Sequence, residues 1–227
     1  TPTTINTFYT DADGQLVTPE KLEYGKGYSL VEVQAPYGYV LDSTPVPFDV
    51  TEENSTQEGG ITLIKVDKPN MAQKGTISVE KTGEVFFGVN VFGEKDKDVI
   101  YQPVYTVKGL AGAVYEITAD EDIITPDGTL RYHKGDVVDT VTTDDEGFAK
   151  SKELYLGKYT VVEIKAPNGM VINNEKHSVE LTYAGQDVAV TETVTSFYNE
   201  RQKVKISLEK VLEQNDTFGI GKNDEIK

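Results

Sequence analysis

The chain has 227 residues, no cysteine and a formal charge of −16, from 22 basic and 38 acidic side chains. With no Lys/Arg cluster to release counterions, this charge argues against binding nucleic acid or an anionic membrane surface. The lack of cysteine rules out disulfides and zinc–thiolate sites as braces, and no apolar run approaches membrane-spanning length, so this segment is not expected to insert into a membrane. Val, Ile, Thr and Tyr are abundant in alternating runs broken by Gly, Asp, Asn and Pro. That pattern predicts an all-β chain of sandwich type.

In chain order, the first informative element is the strand pattern from Tyr28 to Tyr39. Alternate residues of a strand share a face, so Glu32 lies with Tyr28 and Leu30. A second strand is expected over Ile61–Asp67, and a third over 76–83, where Lys81 shares a face with Ile77 and Val79. Residues 84–111 carry Phe86, Phe87, Tyr101, Val104 and Tyr105 and are too apolar for a plain linker; they read as an extra hairpin or a lid over one sheet. Further strands are expected near 112–118, 129–141, 158–165, 177–183 and 187–198, with turns at Pro126–Gly128 and Asp144–Gly147. Within these, Glu163 shares a face with Tyr159 and Val161, and Asn199 shares one with Phe197. A last strand opens at Lys203, with Lys210 on the face of Ile206 and Leu208.

These elements recur. Tyr28, Glu32, Ala35-Pro36 and Gly38 return at the same spacing as Tyr159, Glu163, Ala166-Pro167 and Gly169. The Ile61–Asp67 strand resembles Thr195–Asn199, pairing Asp67 with Asn199. Ile77–Lys81 returns as Ile206–Lys210. Regular recurrence means repeated modules: 1–74 as the C-terminal part of one, 75–202 as a complete module with its insertion at 84–111, and 203–227 as the opening strand of a third. The chain reads as a window on a longer array. No signal peptide is visible, and Thr1 is not expected to be a true N-terminus.

A carboxylate on an apolar strand face is costly unless paired or protonated. A lysine on such a face loses its preference for the charged form and becomes a nucleophile. If the opening and closing strands of the module are neighbours, Lys81, Glu163 and Asn199 meet in one apolar pocket. Neutral Lys81 would then attack the Asn199 side-chain carbonyl while a protonated Glu163 shuttles protons and ammonia leaves. The product is an isopeptide cross-link made once, without turnover. In the first module Glu32 and Asp67 would play the matching parts, with water leaving. Its lysine falls some fifty residues before Thr1 by the repeat offset, or Lys210 docks there from strand 203–212.

The residues Tyr28 to Tyr39 resemble, throughout, the Tyr-x-x-x-Glu-x-x-Ala-Pro-x-Gly-Tyr "E-box" of CnaB (SpaA-like, prealbumin-like) domains of Gram-positive surface proteins and pilins. The copy from Tyr159 differs only at Met170. The resemblance implies tandem Ig-like/prealbumin-like β-sandwich modules and assigns Lys81, Glu163 and Asn199 to the isopeptide trio. Gly109, Gly112 and Tyr115, opening the next core strand, are also family-like. Asp67 departs from the commoner Asn, and no sortase sorting motif of the Leu-Pro-x-Thr-Gly kind is present.

The function this implies is a stalk or pilin-like segment, secreted and held on the cell wall or surface of a Gram-positive bacterium. Its partners would be neighbouring modules of the same polypeptide. The alternative is an adhesin module that binds host extracellular matrix or glycan through a sandwich face or the 84–111 insertion. No turnover enzyme, cofactor or metal is expected. Asp11, Asp13 and Gly14 have the glycine too early for a calcium loop and read as a turn. Asp120, Glu121 and Asp122 read as a solvated bend, and His133 and His177 as isolated surface residues.

Overall fold

The computed structural model describes residues 3–19, 21–58, 61–93 and 98–210. Regular structure among them is extended. The strands are β1 (Gly25–Leu30), β2 (Tyr39–Val40), β3 (Val46–Val50), β4 (Thr56–Glu58), β5 (Ile61–Leu63) and β6 (Met71–Ala72). There follow β7 (Lys74–Phe92), β8 (Ile100–Gly109), β9 (Val114–Ala119), β10 (Ile123–Ile124), β11 (Leu130–Tyr132) and β12 (Val137–Thr142). The last five are β13 (Phe148–Lys150), β14 (Leu154–Tyr155), β15 (Gly157–Lys165), β16 (Lys176–Leu181) and β17 (Val190–Asn199).

From β7 onward two sheets enclose one core. The first has the order β12-β9-β15-β16, all antiparallel. The second is built on β7. Its one edge takes β14, β13 and β8 in turn, antiparallel, while the other takes β17 in parallel along Lys74–Gly83. The period-2 alternation of a half-buried strand decides what enters the core. Ile77 and Val79 of β7, Tyr115 and Ile117 of β9, and Tyr159 and Val161 of β15 are all completely buried. Each such aliphatic side chain contributes about 1.5–3 kcal/mol relative to exposure.

Residues before β7 form three two-stranded ribbons, β1-β3, β2-β6 and β4-β5. Tyr28 stacks on Phe48 across the first ribbon, with ring centroids 5.7 Å apart. The strand expected over Ile61–Asp67 extends only to Leu63. Its counterpart β17 receives a full ladder from β7, whereas residues 64–70 have no such neighbour among the described residues.

The strand expected over 129–141 is two strands, β11 and β12, split by a turn in which Asp136 N donates to His133 O at 3.0 Å. The 84–111 insertion is the hairpin alternative. β7 continues past the sandwich to Phe92 and β8 returns beside it. Arg201 holds the base of this hairpin, with Nε donating to Glu84 at 2.9 Å and the guanidinium 3.5 Å from the Tyr105 ring. The strand expected from Lys203 is not formed over 203–210, where Val204, Ile206 and Leu208 are exposed. Residues 211–227 of that segment lie outside the described residues.

Candidate functional site: a buried lysine, glutamate and asparagine

Lys81 is the third inward-facing residue in the sequence Ile77, Val79, Lys81 on β7, and alternation carries it into the core with them. Asn199 ends β17, one alternation beyond Phe197. Parallel pairing sets Phe197 opposite Lys81 and Asn199 opposite Gly83. Glu163 approaches from the facing sheet, following Tyr159 and Val161 on β15. All three polar residues are 1% exposed.

Their contacts are mutual. Lys81 Nζ lies 3.2 Å from Glu163 Oε1 and donates to Asn199 Oδ1. Asn199 Nδ2 donates to both carboxylate oxygens of Glu163, at 2.9 and 3.0 Å. The backbone N of Asn173 donates to Glu163 Oε2 at 2.7 Å. The carboxylate is thus fixed between the amine and the amide nitrogen. The pocket wall is apolar: the Phe197 ring centroid is 5.9 Å from Lys81 Nζ, and Phe197 packs against Tyr115 and His177 at 4.8 and 3.9 Å. Burial in this setting holds the Lys81 amine below its ordinary 10.5, against the opposing pull of Glu163. Burial likewise pushes the Tyr115 phenol up. His177 is half-buried rather than a surface residue, bonded through Nδ1 to Thr195 Oγ1 at 2.7 Å. His133 is exposed.

The backbone around Lys81 is held equally closely. Lys81 N donates to Gly147 O at 2.7 Å and Leu110 N donates to Lys81 O at 3.0 Å. A Cβ on Gly109 would lie 1.8 Å from Glu146 O, and one on Gly147 would lie 2.3 Å from Lys81 O. Glycine at these two positions lets the turn after β12 lie against the lysine strand.

In the first segment the structure separates two residues expected to meet. Asp67 is exposed and lies 3.8 Å from Lys65, away from Glu32. The residue on Glu32 is Asn70, whose Nδ2 donates to both carboxylate oxygens at 2.8 Å. Asp42 N donates to Glu32 Oε2 at 3.0 Å, as Asn173 N does to Glu163. Asn70 is therefore the counterpart of Asn199, and Asp67 is not. The signal was present in the sequence: Asn70 precedes Asn199 by the same interval that separates Ile77 from Ile206, whereas Asp67 does not. Lys210 is exposed on the 203–210 tail and does not join Glu32. Among the described residues no cluster of three or more His, Cys, Asp or Glu could hold a metal ion.

A sandwich whose first and last strands run side by side, with an amine, an acid and an amide joined at their seam, defines a prealbumin-like module. The sequence profile of the SpaA prealbumin-like fold domain matches residues 1–63 and 103–195, and the chain belongs to that family. It is similar to the Bacillus anthracis TIE protein at 25% identity, covering 77% of this chain and 25% of that one, with a TM-score of 0.43. It is also similar to GBS52, the minor pilin of Streptococcus agalactiae, at 17% identity, covering 73% of this chain and 61% of that one, with a TM-score of 0.36. A third similar structure is the major pilin SpaD of Corynebacterium diphtheriae, at 23% identity, covering 57% of this chain and 32% of that one, with a TM-score of 0.36. The chain therefore spans less than two thirds of the length of each. No curated protein matches it.

Proposed function

We propose that the chain is a load-bearing segment of a stalk or pilin on a Gram-positive cell surface, locked by an isopeptide bond between Lys81 and Asn199. The observation that carries this reading is the contact of Lys81, Glu163 and Asn199 inside the core, at the seam between β7 and β17. A proton passing from Lys81 Nζ to Glu163 across 3.2 Å leaves a neutral amine. That amine attacks Asn199 Cγ and the Nζ–Cγ bond forms. Glu163 passes the first proton to Nδ2 and takes a second from Nζ, and the Cγ–Nδ2 bond breaks as ammonia departs, leaving Nζ as an amide N–H and Glu163 protonated. One lysine and one asparagine are consumed, so the chemistry happens once.

The parallel seam gives this bond its mechanical value. Tension entering at Lys74 travels along β7 to Lys81, crosses to Asn199 and leaves the module. The residues between carry no load, and a cysteine-free domain resists unravelling. On this reading residues 75–202 are a complete module. Residues 1–74 are the end of a preceding one, in which Glu32 and Asn70 play the parts of Glu163 and Asn199.

The intact mass of the purified chain tests the proposal. A mass one ammonia below the sequence, located by peptide mapping to the Lys81 and Asn199 peptides, is the expected result. A mass equal to the sequence overturns it. A second reading, adhesion through the hairpin, rests on its exposed aromatics: Phe86, Phe87, Phe92 and Tyr101 are each more than half exposed.

A further inference from the structure

The segment before β7 is clasped to the sandwich by two glutamines. Gln73, 1% exposed, donates from Nε2 to Gly185 O at 2.8 Å and Val188 O at 2.5 Å, and its Oε1 accepts from Ala184 N at 2.8 Å. From the other side, Gln186 Oε1 accepts from Ala35 N and Gln186 O accepts from Leu41 N, both at 2.9 Å. Tyr37 packs on Tyr183 with ring centroids 4.6 Å apart. Gly38 fits against Pro126 so closely that a Cβ there would lie 2.6 Å from Pro126 Cγ. The 183–188 turn, between β16 and β17, is thus bound by the Ala35–Leu41 loop and by Gln73.

The hydrogen-bonding part of the binding side of this clasp recurs at the far end of the sandwich, with Asn168 in the place of Tyr37. Ala35, Pro36 and Gly38 correspond to Ala166, Pro167 and Gly169, and Leu41 to Ile172. Gln73 corresponds to Gln202. The backbone repeats as well as the sequence: Gln73 N donates to Gly38 O at 2.8 Å, and Gln202 N to Gly169 O at 2.9 Å. Tyr39 pairs with Ala72 as Met170 pairs with Arg201.

The two copies differ in their surroundings. Ala35, Gly38 and Gln73 are buried, whereas Ala166 is half-buried and Gly169 and Gln202 are exposed. A Cβ on Gly169 would meet nothing within 4 Å. Ala166, Pro167, Asn168, Gly169, Met170 and Gln202 line an open groove of about 530 Å³.

We propose that this groove is the docking surface for a further module that follows residue 202, and that it takes that module's turn equivalent to Tyr183–Val188. The ligand chemistry follows from the first clasp. It is a tight turn whose carbonyls accept from the Gln202 amide and whose own glutamine bonds the amides of Ala166 and Ile172. β7 begins directly after Gln73, and the tail carrying Ile206, Leu208 and Lys210 begins directly after Gln202. A module opening on that tail is placed by the chain itself beside the groove. A second copy of this chain is not the occupant, because its own 183–188 turn is already held by Gln73 and Ala35. Successive modules would then be joined as rigid units at a fixed angle.

The test is residue-resolved amide exchange on the 227-residue chain and on the same chain with residues 74–202 duplicated in tandem. Duplication should slow exchange at Ala166 and Ile172 of the first copy by about tenfold or more, the scale of one hydrogen bond. A Gln202→Ala substitution in the first copy should undo this and leave Ala35 and Leu41 protected. Unchanged exchange at Ala166 and Ile172, with Ala35 and Leu41 protected, overturns the proposal. So does protection in the unduplicated chain that grows with protein concentration, which would mean a second copy occupies the groove. Should the duplicated chain not fold, the same amides are read in labelled parent mixed with unlabelled Gln73→Ala/Gly38→Val chain, in which the 183–188 turn loses the Gln73 bonds and the Ala35–Leu41 loop is unseated from Pro126. Slower exchange supports the assignment, and unchanged exchange at high partner excess overturns it.

Discussion

Replacing Glu163 by Gln keeps the shape of the site and removes its proton carrier, so it separates the cross-link from the packing around it. The proposed bond closes a loop spanning the 118 positions from Lys81 to Asn199. By the chain-entropy relation for covalent loops, that closure stabilises the folded state by about 5 kcal/mol. For a chain of this size each kcal/mol moves the melting temperature by about 2–4 °C, so Glu163→Gln should melt about 10–20 °C below the parent. Scanning calorimetry of both chains, with their intact masses, gives the comparison. Lys81→Met, which removes the nucleophile and keeps an unbranched apolar side chain, should lose the same ammonia deficit and fall into the same range. The reasoning fails if Glu163→Gln keeps the deficit. It fails equally if the parent is cross-linked and the uncross-linked variant melts within about 2 °C of it.

Two further outcomes follow from the local geometry. Gly147→Ala puts a Cβ 2.3 Å from Lys81 O at a φ of +87°, and should lower stability by about 1–3 kcal/mol in urea titration; an unchanged midpoint would mean that the turn can move away from the lysine strand. Asp127, accepting from Thr125 Oγ1 at 2.6 Å, titrates at about 2 instead of 3.8. Its folded-state pKa is depressed, so its contribution is complete above pH 3.8 and lost as pH falls through about 2. The difference in urea midpoint between the parent and Asp127→Asn should therefore shrink to nothing over that interval, and a difference independent of pH would contradict the assignment.

Strand residues with a local, period-2 logic were legible without coordinates. Tyr159, Val161 and Glu163 face inward because alternate residues share a face, and the same rule carries Lys81 in behind Ile77 and Val79. The all-β class followed from the same alternation, and the hairpin option for 84–111 from a content too apolar for a plain linker. The break at His133–Asp136 was missed although Gly135-Asp136 is a turn signal in the sequence, with Gly135 at a φ of +91° in the turn. The depth of His177 was missed because it stacks on Phe197 of β17, the next strand in the chain but one that belongs to the facing sheet.

The amino-acid sequence by itself determined which side chains point into the sandwich, since alternation needs only neighbours along the chain. The tertiary structure decided which of them meet. Asn70 rather than Asp67 reaches Glu32 because residues 64–70 form no strand and Asn70, next to the β2-β6 pair, bonds both Glu32 and Val40 O. It alone also showed that Gln73 and Gln186 clasp the sandwich while Gln202, in the same backbone setting, faces an open groove. Hydrogen bonds between segments more than a hundred residues apart leave no periodic trace in the chain that makes them.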